Sequence, residues 1–298
     1  MKFFIRNTLF FIVGLLFLTI IPLVIFVHYI SNKSSYYKIS PTVTTIYMGD
    51  SYIECAINDS ILPQSLNTGS SSETYFYSYH KLKLLLANNN SINQVYLGFS
   101  FHNLSIHNDE TLKSIFIAPR YFYLLPLKEK FHLLYKNKNN LFQFIKNIIK
   151  QGFEILQNQN DAPYKGGFKN QFDETIPIKK SVDKSLLFHY LTNGEINPYS
   201  TINLYYLNKI IELCNSNEVK IILLNTPLHE YYYNKVPKNY IKQHNKVIDD
   251  FAYVTYIDLS QFNLDENCFS PDGCHVSQEG ALKTSIELRR ISQTVNQQ

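Results

Sequence analysis

Short apolar, β-branched runs recur along this chain, and most lead into a stretch of helical spacing. That alternation restricts the fold to a parallel sheet covered by helices. Val43 to Met48 reads as a first strand, with a helix from about Ser51 to Ala56 after it. A short second strand ends near Asn67, and Ser70 with Glu73 reads as a capping box opening the next helix. Tyr75, Phe76, Tyr79, Leu82 and Leu86 share one face of that helix. A third strand runs from about Gln94 to Phe99, a fourth from Val219 to Leu224, and a fifth from Val254 to Leu259. A helix with Leu207, Ile210, Ile211 and Cys214 at core spacing precedes the fourth strand, and Ser277 caps a last helix. The expectation is an α/β, flavodoxin-like three-layer sandwich on a five-stranded parallel sheet.

Two segments stand outside that pattern. Leu9 to Val27 is nineteen residues without a charge. As a helix it spans about 29 Å, enough to cross a bilayer. No small-x-small cleavage site follows it, so residues 1–30 read as an uncleaved transmembrane anchor and 31–41 as a polar linker. Lys2 and Arg6 precede the span, which suggests an inside amino terminus and an extracytoplasmic domain. The second segment, about 104–200, is a mainly helical insertion after the third strand. Leu141, Phe142, Ile145, Ile148 and Ile149 mark one helix with an apolar face, and Pro163 to Phe168 reads as a loop. Loops at the carboxyl ends of parallel strands border the ligand crevice, so the insertion is expected beside Ser51 as a lid, a cap or a membrane- or partner-docking element. Residues 42–298 then form one α/β domain carrying this insertion.

Net charge is +4 with no basic run, which gives no nucleic-acid surface. The four cysteines lack metal-ligand spacing, and no cofactor motif or metal site is expected. Cys268 and Cys274 are close enough in sequence to bridge in an oxidising compartment. Cys55 and Cys214 read as small core residues.

The chemistry concentrates at the two ends of the domain. Gly49-Asp50-Ser51 follows the first strand, and Asp272-Gly273-Cys274-His275 precedes the last helix. A serine hydroxyl needs a base, and the base needs a carboxylate to orient it. Ser51 would stand at a strand's carboxyl end, where a helix begins with free backbone N–H groups. Ser51 and Glu54 also form a capping pair, so the serine has a structural use as well.

These segments resemble the first and last sequence blocks of the SGNH (GDSL-like) hydrolase family. Ser277 and Gly280 fill the places after the final histidine, and Asn67-Thr68-Gly69 resembles the second block. The third block is altered: Gly98-Phe99-Ser100-Phe101-His102-Asn103 keeps the glycine but not the asparagine in register. The resemblance implies the same flavodoxin-like fold and acyl transfer through Ser51, His275 and Asp272. It places the oxyanion on the N–H groups of Ser51 and Gly69, with Ser100 or Asn103 as third donor if the loop turns back. Gly49, Asp50, Asn67 and Gly98 are then structural. Water as acceptor gives an esterase; a sugar hydroxyl gives an O-acyltransferase. Anchored relatives of this kind point to O-acetyl groups on cell-surface carbohydrate, with a multi-span acyl-transporting membrane protein as a partner. The alternative is an inactive member that binds carbohydrate or assists polysaccharide assembly.

Overall fold

The computed structural model describes residues 1–32, 37–157, 167–169 and 177–295. The linker expectation therefore lies partly, and the 163–168 loop mostly, outside the described residues. In chain order the elements are α1 (Lys2–Ser31), β1 (Thr45–Met48), α2 (Ser51–Ala56), β2 (Ser65–Asn67), α3 (Tyr75–Asn88) and β3 (Gln94–Gly98). The insertion supplies α4 (His107–Thr111), α5 (Ala118–Tyr121), α6 (Leu127–Lys136), α7 (Leu141–Gln157) and α8 (Lys179–Tyr190). A two-stranded ribbon, β4 (Leu191–Thr192) and β5 (Glu195–Ile196), returns the chain to the core. The core then closes with α9 (Thr201–Ser216), β6 (Lys220–Asn225), α10 (Glu230–Tyr233), α11 (Lys238–Asp250), β7 (Thr255–Asp258) and α12 (Gln278–Val295).

The main sheet has five parallel strands in the order β2-β1-β3-β6-β7. This is the expected flavodoxin-like arrangement. Side chains alternate between its faces. Ile46, Met48, Val95, Leu97, Ile221 and Leu223 pack on one side with α3, α9 and α11. Tyr47, Tyr96, Ile222 and Leu224 pack on the other with α2 and α12. Because strands buried on both faces leave no polar side, they read in sequence as continuous apolar runs. A third cluster joins the insertion to Phe76 and Tyr77 of α3 and to Ile30 of α1.

Helix α1 is long and apolar enough to cross a membrane, with Pro22 inside it. It supports a single-pass membrane anchor near the amino terminus. The Ser70–Glu73 capping box does not form. Helix α3 starts later, at Tyr75 after Thr74; the Thr74 side chain does not cap it, and Asn203 Oδ1 accepts the Tyr75 N–H instead. Glu73 is instead buried, bonded to Ser78, Lys81 and Tyr121. A buried carboxylate needs such partners, and that need outranks a local cap.

The Cys268–Cys274 bridge is likewise not formed: both are free thiols. Cys274 packs in the cluster on the α3 side of the sheet and Cys268 in the cluster on the α12 side, so sequence proximity does not become contact.

Candidate active site

Ser51 begins α2 directly after β1. Gly49 turns the chain with φ +144°, a conformation that favours glycine. Asp50 caps the helix, accepting the Tyr52 N–H at 3.0 Å. Below the helix, Gly98 leaves room for Ile53, whose Cγ1 would lie 2.5 Å from an added Cβ. Asn67 braces the other end, donating to the carbonyls of Ile53 at 2.9 Å and Ile57 at 2.8 Å.

The loop after β7 brings the second half. Asp272 Oδ1 accepts the N–H groups of Cys274 and His275 at 3.0 and 3.1 Å, and the Ser270 hydroxyl also donates to it. These bonds aim its Oδ2 at His275 Nδ1, 2.8 Å away. The other ring nitrogen, Nε2, stands 2.8 Å from Ser51 Oγ. With His275 neutral, Nδ1–H donates to Asp272 and the Ser51 hydroxyl donates to Nε2. Three residues 224 positions apart at the extremes thus form one hydrogen-bonded chain.

Burial by itself would raise Asp272, but the His275 ring and its hydrogen bonds hold the carboxyl well below its ordinary range. Burial would lower His275; the adjacent Cys274 sulfur and the Asp272 carboxylate outweigh it and raise the ring well above an ordinary imidazole. Burial also pushes the Cys274 thiol up, so at neutral pH the Asp272 charge is the operative cause.

The oxyanion donors differ from expectation. The Gly69 N–H is taken by Asn67 Oδ1 at 2.8 Å, and the loop approaches so closely that an added Cβ would lie 2.7 Å from the Glu54 nitrogen. The Ser100 hydroxyl donates to Asn225 Oδ1 at 2.7 Å, which commits it to the end of β6. Neither presents a free donor. The loop after β3 does turn back, through a 3₁₀ turn at Phe101–Leu104. It carries Asn103 Nδ2 to 2.7 Å from Asp50 Oδ2, and an amide nitrogen has a second hydrogen to give. Among the described residues the N–H groups of Ser51 and Ser72 carry no hydrogen bond. Ser72 holds φ +63°, a left-handed backbone uncommon outside glycine.

The same turn places His102 Nε2 2.7 Å from Asp50 Oδ2, a second histidine–carboxylate pair next to the first. Burial would raise Asp50, but His102, the Tyr52 N–H and Asn103 lower it to about 2. His102 Nδ1 is buried without a partner.

The insertion reaches the site through α8. The Ile178 N–H donates to the Pro271 carbonyl at 2.9 Å, and Val182 covers Gly273. His189 of this helix bonds Tyr232 Oη through Nδ1 at 2.7 Å, and Tyr232 in turn meets Tyr52 Oη at 3.3 Å. His189, Tyr52 and Tyr232 were not legible as site residues, because only tertiary packing brings them together.

Asp272, Cys274 and His275 also offer three donor atoms within 4.8 Å of one another. Both ring nitrogens of His275 are engaged, however, and burial keeps the Cys274 thiol protonated. Cys268 is not part of this group and lies with Asp265 and Glu279.

No protein-family model matches the chain, and no curated protein matches it. Among solved structures it is similar to a proposed platelet activating factor from Streptococcus pneumonia, at 13% identity over 94% of this chain and 98% of that one, with a TM-score of 0.43. It is similar to a GDSL-like lipase from Bacteroides thetaiotaomicron, at 11% identity over 87% and 97%, with a TM-score of 0.40. A proposed acylhydrolase from Bacteroides fragilis gives 12% identity over 85% and 86%, with a TM-score of 0.37.

Proposed function

We propose that this protein is a membrane-anchored serine enzyme of acyl-ester chemistry, acting on O-acyl groups of cell-surface carbohydrate. The observation that carries the reading is the chain Asp272 Oδ2–His275–Ser51 Oγ, with 2.8 Å at each link. His275 Nε2 takes the Ser51 proton as Oγ attacks the ester carbonyl, and Asp272 holds the ring in the required tautomer. The oxyanion meets the Ser51 N–H and the second Asn103 amide hydrogen; one such donor is worth about 3 kcal/mol in the transition state. His275 then protonates the departing alcohol, leaving an acyl group on Ser51. A water or a sugar hydroxyl, deprotonated by the same nitrogen, takes the acyl group and frees the serine.

Carbohydrate as acceptor is the choice that suits an anchored domain at a membrane surface, and Lys2 and Arg6 ahead of the apolar run favour the extracytoplasmic side. A multi-span membrane protein presenting an activated acyl group fits the transfer direction. The test is covalent labelling. A fluorophosphonate probe is expected to label the wild-type protein and not Ser51→Ala, both folded by circular dichroism. Folded wild type that stays unlabelled overturns the reading.

A further inference from the structure

Helix α1 does not leave the domain as a free stalk. Its last turns are built into the insertion: Ile30 is buried in the same cluster as Phe122, Tyr123, Phe144 and Ile148. The Phe26 ring packs, tilted, against Phe153 of α7 with ring centroids 5.3 Å apart. Gly152 permits that approach, since a Cβ there would lie 2.6 Å from the Phe26 ring. Lys130 of α6 donates to the Ser31 hydroxyl at 2.7 Å. The apolar run ends at Val27, just before His28, so Phe26 and Phe153 meet near the end of the stretch suited to the hydrocarbon layer.

Around that exit point the outer faces of α6 and α7 are not those of a water-exposed helix. On α7, Phe142, Lys146, Lys150 and Phe153 fall within about 80° of arc at 100° per residue. Phe142 is 85% exposed and Phe153 53%. On α6, Leu127, Phe131 and Tyr135 recur every fourth residue, each more than half exposed. Residues 127–157 carry six lysines against two glutamates. Exposed aromatic side chains mixed with lysine and joined to a membrane span are the composition of an interfacial helix.

We propose that the outer stripes of α6 and α7 lie on the surface of the bilayer that α1 spans. Phe131, Phe142 and Phe153 enter the boundary between head groups and acyl chains, and the lysines meet lipid phosphates. The inference rests on α1 lying in the membrane and is independent of the acyl-transfer reading. Its consequence is mechanical: three contacts instead of one hold the domain at a set tilt, and α8 of the same insertion borders Ser51. The serine is thereby kept at a defined height above the lipid.

The chain contains no tryptophan, so a single introduced Trp reports alone. Full-length Phe131→Trp, Phe142→Trp and Phe153→Trp would be reconstituted in phosphatidylcholine–phosphatidylglycerol nanodiscs bearing phospholipids spin-labelled at a shallow or a deep acyl position. Leu16→Trp reports the span, and Tyr253→Trp reports an exposed aromatic outside the insertion. Expected is loss of emission with the shallow label at 131, 142 and 153, loss with the deep label at 16, and little loss at 253. If 16 is quenched while the three are quenched no more than 253, the surface contact is refuted. If 16 is not quenched, the span and the proposal fall together, while fluorophosphonate labelling of Ser51 is untouched.

Discussion

His102 and His275 each hold a carboxylate, at 2.7 Å on Asp50 and 2.8 Å on Asp272, and both rings touch Tyr52. Only one of them can serve the serine. His275 has its second nitrogen on Ser51 Oγ. His102 has its second nitrogen buried without a partner. The two pairs therefore divide the work: one moves a proton, and the other locks the loop that carries Asn103.

That division predicts different mutant behaviour. His275→Gln is expected to abolish fluorophosphonate labelling of a folded protein, a loss of about 10³-fold or more in rate. His102→Gln is expected to leave labelling measurable, slowed through a shifted Asn103. Equal losses in both variants would make His102 part of the proton path and refute the assignment.

Much of the fold was legible because its signals are local. Helix α2 begins and ends where read, at Ser51 and Ala56, and the five strands fall within two residues of expectation. What failed required distant partners. Glu73 looks like a capping residue until Lys81 and Tyr121 surround it. Asn103 looks out of register until a 3₁₀ turn brings it back onto Asp50. His189 has no local signal, since its partner Tyr232 is 43 residues away. Cys268 and Cys274 illustrate the reverse error, near in sequence but packed in different clusters.

The thiols give a direct check. With all four cysteines free, peptide mapping without reductant after unfolding should recover Cys268 and Cys274 alkylated. Melting temperature should not change with dithiothreitol, because no loop is closed in the unfolded chain. A linked peptide containing both residues would contradict the structure.

Asp50 should matter more for stability than its place beside the nucleophile suggests. Its Oδ1 accepts from Tyr52, and its Oδ2 accepts from both His102 and Asn103. Asp50→Asn keeps an acceptor for Tyr52 but turns an NH₂ group toward two donors. Unfolding by urea should show a loss of about 2–3 kcal/mol. The wild-type carboxyl is lowered from 3.8 to about 2, so its contribution is present above the ordinary carboxylate range and is lost as pH falls toward 2. The stability gap between wild type and Asp50→Asn should therefore narrow on acidification between about pH 4 and pH 2. A gap independent of pH there would mean that Asp50 is not the charged partner.

The pH dependence of labelling is the sharpest test of His275. The attacking step needs the neutral ring, and Asp272 favours the charged one, raising its pKa well above the ordinary 6.5. Labelling should accordingly rise with pH and reach half its plateau above 6.5. Stability runs the other way. A raised folded-state pKa contributes fully below the unfolded value and is lost as pH climbs through the folded value, so the site is most stable where it reacts most slowly. Asp272→Asn removes the charge that causes both effects. Its labelling midpoint should move down, while its plateau drops about 10³- to 10⁴-fold as the ring loses the correct tautomer. Rates followed by stopped-time probe incorporation across pH 5 to about 10 separate these two effects. A wild-type midpoint at or below 6.5, or one that Asp272→Asn leaves in place, would show that Asp272 does not govern the base.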